Sequence, residues 1–336
     1  MTMLERVPDY FEHFHCLAGA CPHTCCAKWE VVIDEDSAER YEKAEGPLGE
    51  RLRAALKRDE DGDACFALEG DRCPFLNERG LCDIHIQLGE AATSVTCQEH
   101  PRFIEDYGPF REITLSASCP EANRLLLSGE GPLTFPERET AEEAEEGDDW
   151  LEFLLPLRRR MLALLREERP LHDRLRDFLL LAAAAQEKLD DDAPEELAAC
   201  APEAVEQTGE KCLFPALFEV LKSLEQLDGD WAELLTQGET AAPAEATEVQ
   251  LERIGEYAAF RYLLKCVNDG YLLGRAQLCV CMVLAVERLS GVCGTAEALR
   301  RFSCEIEHSD DNLEALLEAF WTELPLDTFL AELSSQ

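Results

Sequence analysis

Cysteine is distributed unevenly along this chain, and that distribution limits what the chain can fold into more than any other feature. Nine of the sixteen cysteines fall at or before Cys119, and the other seven are scattered from Cys200 to Cys304. The first group lies among glycines and prolines, which are typical of turns and loops. Residues 1–10 show no secretion signal, and a chain of 336 residues does not need disulfide staples. The pattern therefore predicts metal-binding thiols in a reducing cytoplasm.

Four of these thiols occur within eleven residues, in the pattern Cys16-x4-Cys21-x3-Cys25-Cys26. Thiolates are soft ligands for zinc and for iron–sulfur clusters, and this spacing forces the sulfurs close together. Adjacent Cys25 and Cys26 are awkward as joint ligands of one tetrahedral ion, so one can ligate while the other packs or serves a second metal. The spacing does not decide between zinc and an iron–sulfur cluster.

Four further cysteines stand near glycine or proline at expected loop positions, namely Cys73, Cys82, Cys97 and Cys119. The competing interpretation, that all eight are buried free thiols, fits such loop positions poorly. Cys65 and the cysteines of the second half lack ligand spacing and are expected to be core thiols. His23 and His85 lie inside the motifs, where we expect supporting or structural roles more than direct ligation. Arg102 is likewise expected to be structural.

From residue 150 onward apolar residues recur at three- and four-residue steps, which predicts helices. The expected helices cover residues 150–165, 171–189, 214–227, 249–267, 271–289, 295–307 and 313–321, with another beginning at 194. Residues 137–149 hold eight acids against one base, which predicts a solvated linker, and residues 241–246 predict another. The expected fold is mostly α. It has an irregular cysteine-rich metal or cluster module at 1–130, an acidic linker at 131–149, and an α-helical bundle at 150–336 on which the module packs.

The formal net charge is −39, which disfavours nucleic acid and anionic membrane surfaces as partners. It favours basic substrates, although solubility alone is a simpler explanation of the charge. The longest apolar run, residues 278–286, is too short to span a bilayer and predicts a buried helix face. The sequence contains no Walker motif, no Gly-rich strand-to-helix loop, no Gly-x-Ser-x-Gly and no His-Glu-x-x-His. A Rossmann methyltransferase or dehydrogenase domain is therefore not expected.

Taken in order, the motifs resemble the flagellin lysine-N-methylase family (FliB-like), which is related to the zinc- or iron-chelating proteins with a CxxCxxCC motif. The stretches that carry the resemblance are Tyr10-Phe11-x-x-Phe14-x-Cys16, Cys21-Pro-His-Thr-Cys25-Cys26-Ala-Lys-Trp29, Ile33-Asp34, Cys73-Pro-Phe-Leu76-Asn, Gly80-Leu-Cys82-Asp-Ile-His85, Leu88-Gly89-Glu90, Thr96-Cys97-x-x-x-Pro101-Arg102 and Leu115-Ser-x-Ser-Cys119-Pro-Glu121-Ala122. The helical half matches less, chiefly at Tyr262-Leu263 and Phe302-Ser303-x-x-Ile306-Glu307-His308. Asp71-Arg72 stands where relatives often have Gly-Arg, which is a mild departure.

The resemblance implies methyl transfer from S-adenosylmethionine to lysine amines of flagellin. It also implies an iron–sulfur centre, most simply 4Fe-4S with zinc as the alternative. Carried over position by position, the implied ligands are Cys16, Cys21, Cys25, Cys26, Cys73, Cys82, Cys97 and Cys119. Methyl transfer needs a neutral amine, but the nearby acids Glu99, Asp106 and Glu121, and also Tyr107, fit surface positions better than that of a base. We therefore name no catalytic residue.

Two other functions are compatible with the same residues. A non-enzymatic zinc- or iron-binding adaptor, whose helical domain holds a protein partner, would explain the missing cofactor fingerprint. A redox or cluster-carrier protein would use the thiols without methyl transfer. The sequence does not give the oligomeric state.

Overall fold

A computed structural model describes residues 2–27, 31–59, 62–203, 213–227, 229–242 and 246–334. Trp29 of the resemblance, Cys212 among the expected core thiols and residues 243–245 of the second expected linker lie outside these ranges. The strands are β1 (Thr2–Arg6), β2 (Val32–Ile33), β3 (Leu56–Arg58), β4 (Ala64–Phe66), β5 (Arg102–Asp106), β6 (Phe110–Leu115) and β7 (Glu137–Glu143). The helices are α1 (Glu35–Lys43), α2 (Gly46–Ala55), α3 (Asp83–Leu88), α4 (Val95–Glu99), α5 (Pro120–Leu127), α6 (Leu151–Leu165), α7 (Leu171–Asp190), α8 (Leu213–Ser223), α9 (Trp231–Gly238), α10 (Glu248–Tyr262), α11 (Leu272–Cys293), α12 (Thr295–Phe302), α13 (Asp310–Ala319) and α14 (Leu326–Leu333).

Of the residues that the structure describes, 57% are helical, which confirms the expectation of a mostly α protein. It divides into two compact units that are each discontinuous in sequence. The cysteine-rich unit contains residues 14–103 and 119–122, and the helical unit contains residues 1–13, 104–118 and 123–336. This division differs from the continuous boundaries expected at 130 and 149, because the first strand and the segment around β6 belong to the helical unit.

The cysteine-rich unit is built on a small antiparallel sheet in the order β2-β4-β3. Its core contains Ile33, Ala38, Tyr41, Leu48, Leu52, Ala64, Phe66, Phe75 and Ile84, with Cys73 and Cys82 packed against it. The Phe66 ring packs between Tyr41 and Phe75, with centroids 5.5 and 4.7 Å away. Two of the expected ligands, Cys73 and Cys82, therefore pack against the apolar core of this unit and do not lie in open loops.

The helical unit contains a four-stranded sheet in the order β5-β6-β1-β7. β1 pairs in parallel with β6 and antiparallel with β7, so that Leu4 faces both Phe110 and Glu139. Residues 137–143, expected to be part of a solvated linker, thus form an edge strand whose residues are mostly exposed. Two acids of this strand have cations on other strands: Arg6 of β1 donates to Glu137 at 2.8 Å, and Arg111 of β6 donates to Glu142. In the opposite direction, Arg138 of this strand donates to Glu5 of β1 at 2.7 Å. A charged edge strand is a common protein device against unwanted strand pairing.

Helices α10 and α11 form the centre of the helical unit. In the turn before α11, Gly270 has a φ of +71°, which glycine adopts without strain. Residues 278–286 of α11 are fully or almost fully buried, which confirms the buried helix face expected from the apolar run. Leu272–Cys293 is long and apolar enough to cross a membrane by composition, but 72% of its apolar window is buried inside the protein. A helix that is apolar all round and enclosed by its neighbours is a core helix.

Candidate metal centre

Cys16, Cys21, Cys25 and Cys26 lie on one loop segment of the cysteine-rich unit, interrupted by a 3-10 turn at Ala18–Ala20. The amide of Ala18 donates to Sγ of Cys16 at 3.4 Å, and the thiol of Cys21 donates to the carbonyl of His23 at 3.2 Å. Cys16 is exposed, whereas the other three thiols are half-buried. The loop thus keeps its sulfurs accessible while its own backbone orients two of them.

Two glycines let this loop approach the loop that precedes Cys82. Gly80 has a φ of +69°, and a Cβ at this position would lie 3.4 Å from Cα of Gly19. A Cβ on Gly19 would lie 2.6 Å from the carbonyl oxygen of Arg79, closer than real Cβ atoms come. Because only glycine lacks this atom, the residue type at position 19 decides how closely the two cysteine loops can pack.

Asn77 closes the turn that leads to Cys82. Its Oδ1 accepts hydrogen bonds from two backbone amides of that turn, at 2.9 and 3.2 Å, while its Nδ2 donates to Asp83 at 3.0 Å. Cys82 follows as the N-cap residue of α3. Burial raises the pKa of the Cys82 thiol, although amides of the first turn of α3 donate to the sulfur and oppose the shift.

Cys73 is held by contacts on both sides. Its amide donates to the carbonyl of Cys26 at 2.9 Å, which ties the two cysteine segments together directly. Arg51 donates to the carbonyl of Pro74 at 3.0 Å and to the carboxylate of Asp83 at 2.9 Å. One guanidinium therefore bridges the segments that carry Cys73 and Cys82.

Asp34, one of the residues of the resemblance, positions the helix that carries Cys97. Its Oδ1 caps α1 by accepting from the amide of Ser37 at 2.9 Å, and its Oδ2 accepts from the amide of Val95 at 2.8 Å. Ser94 caps α4 by accepting from the amide of Cys97 at 3.3 Å. Asp34 therefore links the first turns of two helices, since a carboxylate is favoured at both N-termini.

The adjacent thiols Cys25 and Cys26 form an unequal pair. A hydrogen bond from Cys25 lowers the pKa of Cys26 to about 7, while the same bond, burial and the charges of Cys26, Cys16 and Cys97 raise the pKa of Cys25. Cys26 therefore has thiolate character near neutral pH, and Cys25 is its donor. Whether one of the two ligates while the other packs or serves a second metal stays a prediction.

The other thiols form two groups by their electrostatic influence on one another, and members of both groups also influence the pair of Cys25 and Cys26. Burial, together with the charges of Cys26, Cys82 and Cys97, raises the pKa of Cys73 to about 12. Burial also raises the pKa of Cys119, as do the charges of Cys21 and Cys16. All eight expected ligands thus lie in one unit and within electrostatic range of other members of the set.

The donor chemistry of this set fits a thiolate-ligated centre, but its geometry does not form one. Across residues 2–334, excluding the short gaps given above, no three His, Cys, Asp or Glu side chains are grouped so that they could hold a metal ion. Ligation would therefore require the thiols to draw together. Cys65 and the described thiols of the helical unit other than Cys293 are buried, as expected for core residues.

A second polar cluster lies in the helical unit and was not assigned a role from the sequence. The carboxylate of Glu307 is fully buried and accepts hydrogen bonds from the hydroxyls of Tyr257 at 2.9 Å and Tyr262 at 2.8 Å. Arg261 lies 2.9 Å from the same carboxylate, and Ser303 donates to it. Glu307 closes a π-helical segment, Ser303–Glu307, a rare geometry that often marks functional sites. In the sequence, the signal for this cluster was two motifs of the helical half, Tyr262-Leu263 and Phe302-Ser303-x-x-Ile306-Glu307-His308, which carry the weaker part of the resemblance.

His308 extends this cluster toward the sheet. Hydroxyls of Ser116 and Ser118 each lie 2.8 Å from its Nε2, and Ser116 also lies 3.3 Å from Ser303. Burial, together with the charge of Arg261, lowers the pKa of His308 to about 4. The imidazole is therefore neutral at physiological pH.

The fold and the thiol set together define a mainly helical protein with a separate cysteine-rich unit. Three curated proteins are similar in sequence to part of the chain. The chain is 27% identical over 137 residues to the lysine-N-methylase of Salmonella choleraesuis and 26% identical over 137 residues to that of Salmonella typhimurium. It is 26% identical over 139 residues to the flagellar biosynthetic protein FliU of Salmonella muenchen.

These alignments cover 39 to 40% of the chain. They span only 34% of the two lysine-N-methylases, and 82% of FliU. No family model matches the chain, and no solved structure matches it. The matches confirm the resemblance to the FliB-like lysine-N-methylases, whereas the relation to the CxxCxxCC proteins stays a prediction.

Proposed function

We propose that this protein is a lysine N-methyltransferase that acts on flagellin, with S-adenosylmethionine as methyl donor and an iron–sulfur centre in its cysteine-rich unit. The observation that carries the proposal is the similarity to two proteins named lysine-N-methylase. A third similar protein is named for flagellar biosynthesis, which supports a flagellar protein as the substrate. Free thiols throughout the described residues support a cytoplasmic location.

The proposed ligands of the centre come from the eight cysteines Cys16, Cys21, Cys25, Cys26, Cys73, Cys82, Cys97 and Cys119. The support is the chemistry of the donors and their mutual electrostatic influence within one unit. Zinc remains the alternative occupant, because both zinc and iron–sulfur clusters accept thiolate ligands.

The reaction requires that the protein keep the lysine amine neutral and provide an acceptor for the proton that the amine loses. The lysine nitrogen attacks the methyl group of the sulfonium, the carbon–sulfur bond breaks with its electron pair on sulfur, and the amine proton leaves to a base or to water. The amine must therefore be neutral when it attacks. A net charge of −39 would draw a cationic lysine segment to the protein, but it would also favour the protonated amine. A local base or an apolar subsite must therefore act on the bound lysine.

The test is methyl transfer by protein purified without oxygen. We expect label from S-adenosylmethionine to appear on flagellin lysines, located by mass spectrometry of the digested product. Cys26→Ser should abolish the transfer, and Cys293→Ser should retain it because Cys293 lies in α11, outside the cysteine-rich unit. Absence of transfer by wild-type protein with a full complement of iron would contradict the proposal.

A non-enzymatic metal-binding adaptor is the second candidate. The sheet order β5-β6-β1-β7, with four strands and mixed directions, is not the doubly wound parallel sheet that binds nucleotides in Rossmann enzymes. This observation favours a protein without a conventional donor site. Methyl transfer that disappears in Cys25→Ser while the circular dichroism spectrum stays unchanged would remove this candidate.

A further inference from the structure

An open cavity of about 430 Å³ lies in the helical unit, and none of its lining residues is a cysteine. Its wall is formed by three segments: the turn after β1 with Asp9 and Tyr10, the loop after α5 with Glu130 and Gly131, and Arg253 on α10. A cavity of this size is in the range that small organic ligands occupy. Neither the expected ligands nor the cluster around Glu307 includes any of these residues.

Arg253 provides a fixed positive charge at the cavity. Its side chain is only 5% exposed, and its Nε and Nη1 donate to the carbonyls of Leu126 and Gly131 at 2.6 and 2.5 Å. These two bonds fix the plane of the guanidinium. Its Nη2 is 4.0 Å from Oδ1 of Asp9, too far for a direct hydrogen bond. Within the described residues, the guanidinium has no carboxylate at hydrogen-bond distance.

Asp9 provides a carboxylate on the same wall. Its Oδ2 accepts hydrogen bonds from the amide and the hydroxyl of Thr134, at 3.0 and 3.2 Å. These bonds hold the side chain while Oδ1 has only the long contact to Arg253 among the described parts of the chain. An acceptor and a donor of opposite charge are thus held in place beside one cavity.

Tyr10 is the third element of the site. Its hydroxyl is buried and has no hydrogen-bond partner among the residues that the structure describes. Burial raises the pKa of Tyr10 above its usual range, so the hydroxyl keeps its proton and can donate. A buried polar group without a partner in a folded protein calls for a ligand or a bound water.

The charges of the wall discriminate between ligand classes. A phosphate or another multiply charged anion would meet the guanidinium of Arg253 and the imidazole of His13, but also two carboxylates, Asp9 and Glu130. A simple cation would meet the guanidinium. A zwitterion with adjacent carboxylate and ammonium groups would find a charge of opposite sign for each of them, Arg253 for the carboxylate and Asp9 for the ammonium. Guanidinium binds carboxylate well because its paired donors match the two oxygens.

We infer that this cavity binds the α-amino-acid group of a small molecule, with Arg253 and Tyr10 on the carboxylate and Asp9 on the ammonium. For the identity of the ligand the inference rests on the proposed function, under which the group is the methionine end of S-adenosylmethionine. The remainder of the donor then extends through the open side of the cavity.

The experiment measures binding to the purified full-length chain by isothermal titration calorimetry. Three probes are compared: S-adenosylmethionine, L-methionine, and 5′-methylthioadenosine, which keeps the nucleoside and the thioether but lacks the amino-acid group. Gly131→Leu adds a bulky side chain at a residue that lines the cavity, and the addition causes no clash because a Cβ there meets no atom within 4 Å. Gly229→Leu is the matched control, since Gly229 is equally open and does not line the cavity. Tyr10→Phe removes only the hydroxyl.

We expect Gly131→Leu to weaken S-adenosylmethionine binding by about tenfold or more and Tyr10→Phe by about threefold or more, with Gly229→Leu like wild type. 5′-Methylthioadenosine should bind wild-type protein at least about tenfold more weakly than the full donor. If Gly131→Leu does not fold, the Tyr10→Phe result decides.

Equal affinity of wild type, Gly131→Leu and Tyr10→Phe for S-adenosylmethionine would overturn the cavity site and leave the proposed function standing. Binding of L-methionine that Gly131→Leu weakens, without binding of S-adenosylmethionine, would support the amino-acid site and count against the proposed donor. Failure of wild-type protein to bind any probe that carries an amino-acid group would overturn the inference.

Discussion

Arg158 donates two parallel hydrogen bonds to the carboxylate of Glu112, at 2.6 and 2.5 Å, with both side chains less than a tenth exposed. Arg158 is on α6 and Glu112 is on β6, so the bond joins the first long helix to the sheet within the helical unit. Arg6 of β1 contacts the same carboxylate at 3.4 Å. A buried bidentate pair of this kind fixes geometry even where it adds little net stability.

Arg158→Met should lower the free energy of unfolding by about 3–5 kcal/mol, because Glu112 would be left as a buried charge with only the longer Arg6 contact. The double variant Arg158→Met, Glu112→Leu should recover most of that loss. The control is Arg58→Met, which breaks an exposed ion pair with Glu35 and should change the free energy of unfolding far less, because solvent screens that pair. Urea denaturation measures all three, and equal losses for Arg158→Met and Arg58→Met would contradict the argument.

His308 should make stability fall in weakly acidic solution. Its pKa is lowered to about 4 in the folded protein, from 6.5, so the unfolded chain binds a proton in this interval that the folded chain does not. Stability is therefore full above pH 6.5 and is lost as pH falls through 6.5 toward 4, by up to about 3 kcal/mol. His308→Gln should flatten this part of the curve of unfolding free energy against pH. Parallel curves for wild type and His308→Gln would contradict the assignment.

The helices and the thiol set could be read from the sequence because their signals are local. The apolar spacing over α10 and α11 requires only neighbouring residues, and the candidate ligands are recognised by short spacings. The position of β1 could not be read, since Thr2–Arg6 is too short to show alternation and its partner β6 lies about a hundred residues away. Residues 137–143 were predicted to be a solvated linker because they contain many acids. The sheet explains why they form a strand instead, since the cations that pair with these acids lie on strands that are distant in sequence.

Neither the cluster around Glu307 nor the cavity around Arg253 has a compact sequence signature. Tyr262 and Glu307 are 45 residues apart and meet only because a π-helical segment returns the carboxylate to α10. Tyr10 and Arg253 are brought to one wall by tertiary packing alone. In the sequence alone, such polar residues cannot be told from ordinary surface or core residues, because their partners are distant along the chain.

Gly19→Ala should reduce the metal content of the protein without unfolding the helical unit. The added Cβ would meet the carbonyl of Arg79 and separate the loop with Cys16 and Cys21 from the loop before Cys82. We expect at least about a threefold loss of bound metal, since small misplacements of ligands strongly weaken metal sites. Ala20→Ser, in the same 3-10 turn, is the control and should bind metal like wild type. Unchanged metal content in Gly19→Ala would show that the loops need not approach.

Removal of metal with a chelator should destabilise the cysteine-rich unit before the helical unit. Ligation free energy in a loop-rich unit is also folding free energy, whereas α10 and α11 are stabilised by their own apolar core. Hydrogen exchange followed by mass spectrometry should show faster exchange in residues 14–103 and unchanged protection in α11. Exchange that stays the same in both units, or that rises equally in both, would speak against a structural role of the metal.

The proposed function depends most directly on an iron–sulfur centre whose ligands come from the eight thiols of the cysteine-rich unit. Iron and acid-labile sulfide should be measured per chain after purification without oxygen, in wild type, Cys26→Ser and Cys293→Ser, together with the visible spectrum. The account predicts iron, sulfide and visible absorbance in wild type and in Cys293→Ser, and their loss in Cys26→Ser. A folded wild-type chain with neither iron nor sulfide would contradict it, and colourless protein with bound zinc would replace the cluster by the zinc alternative.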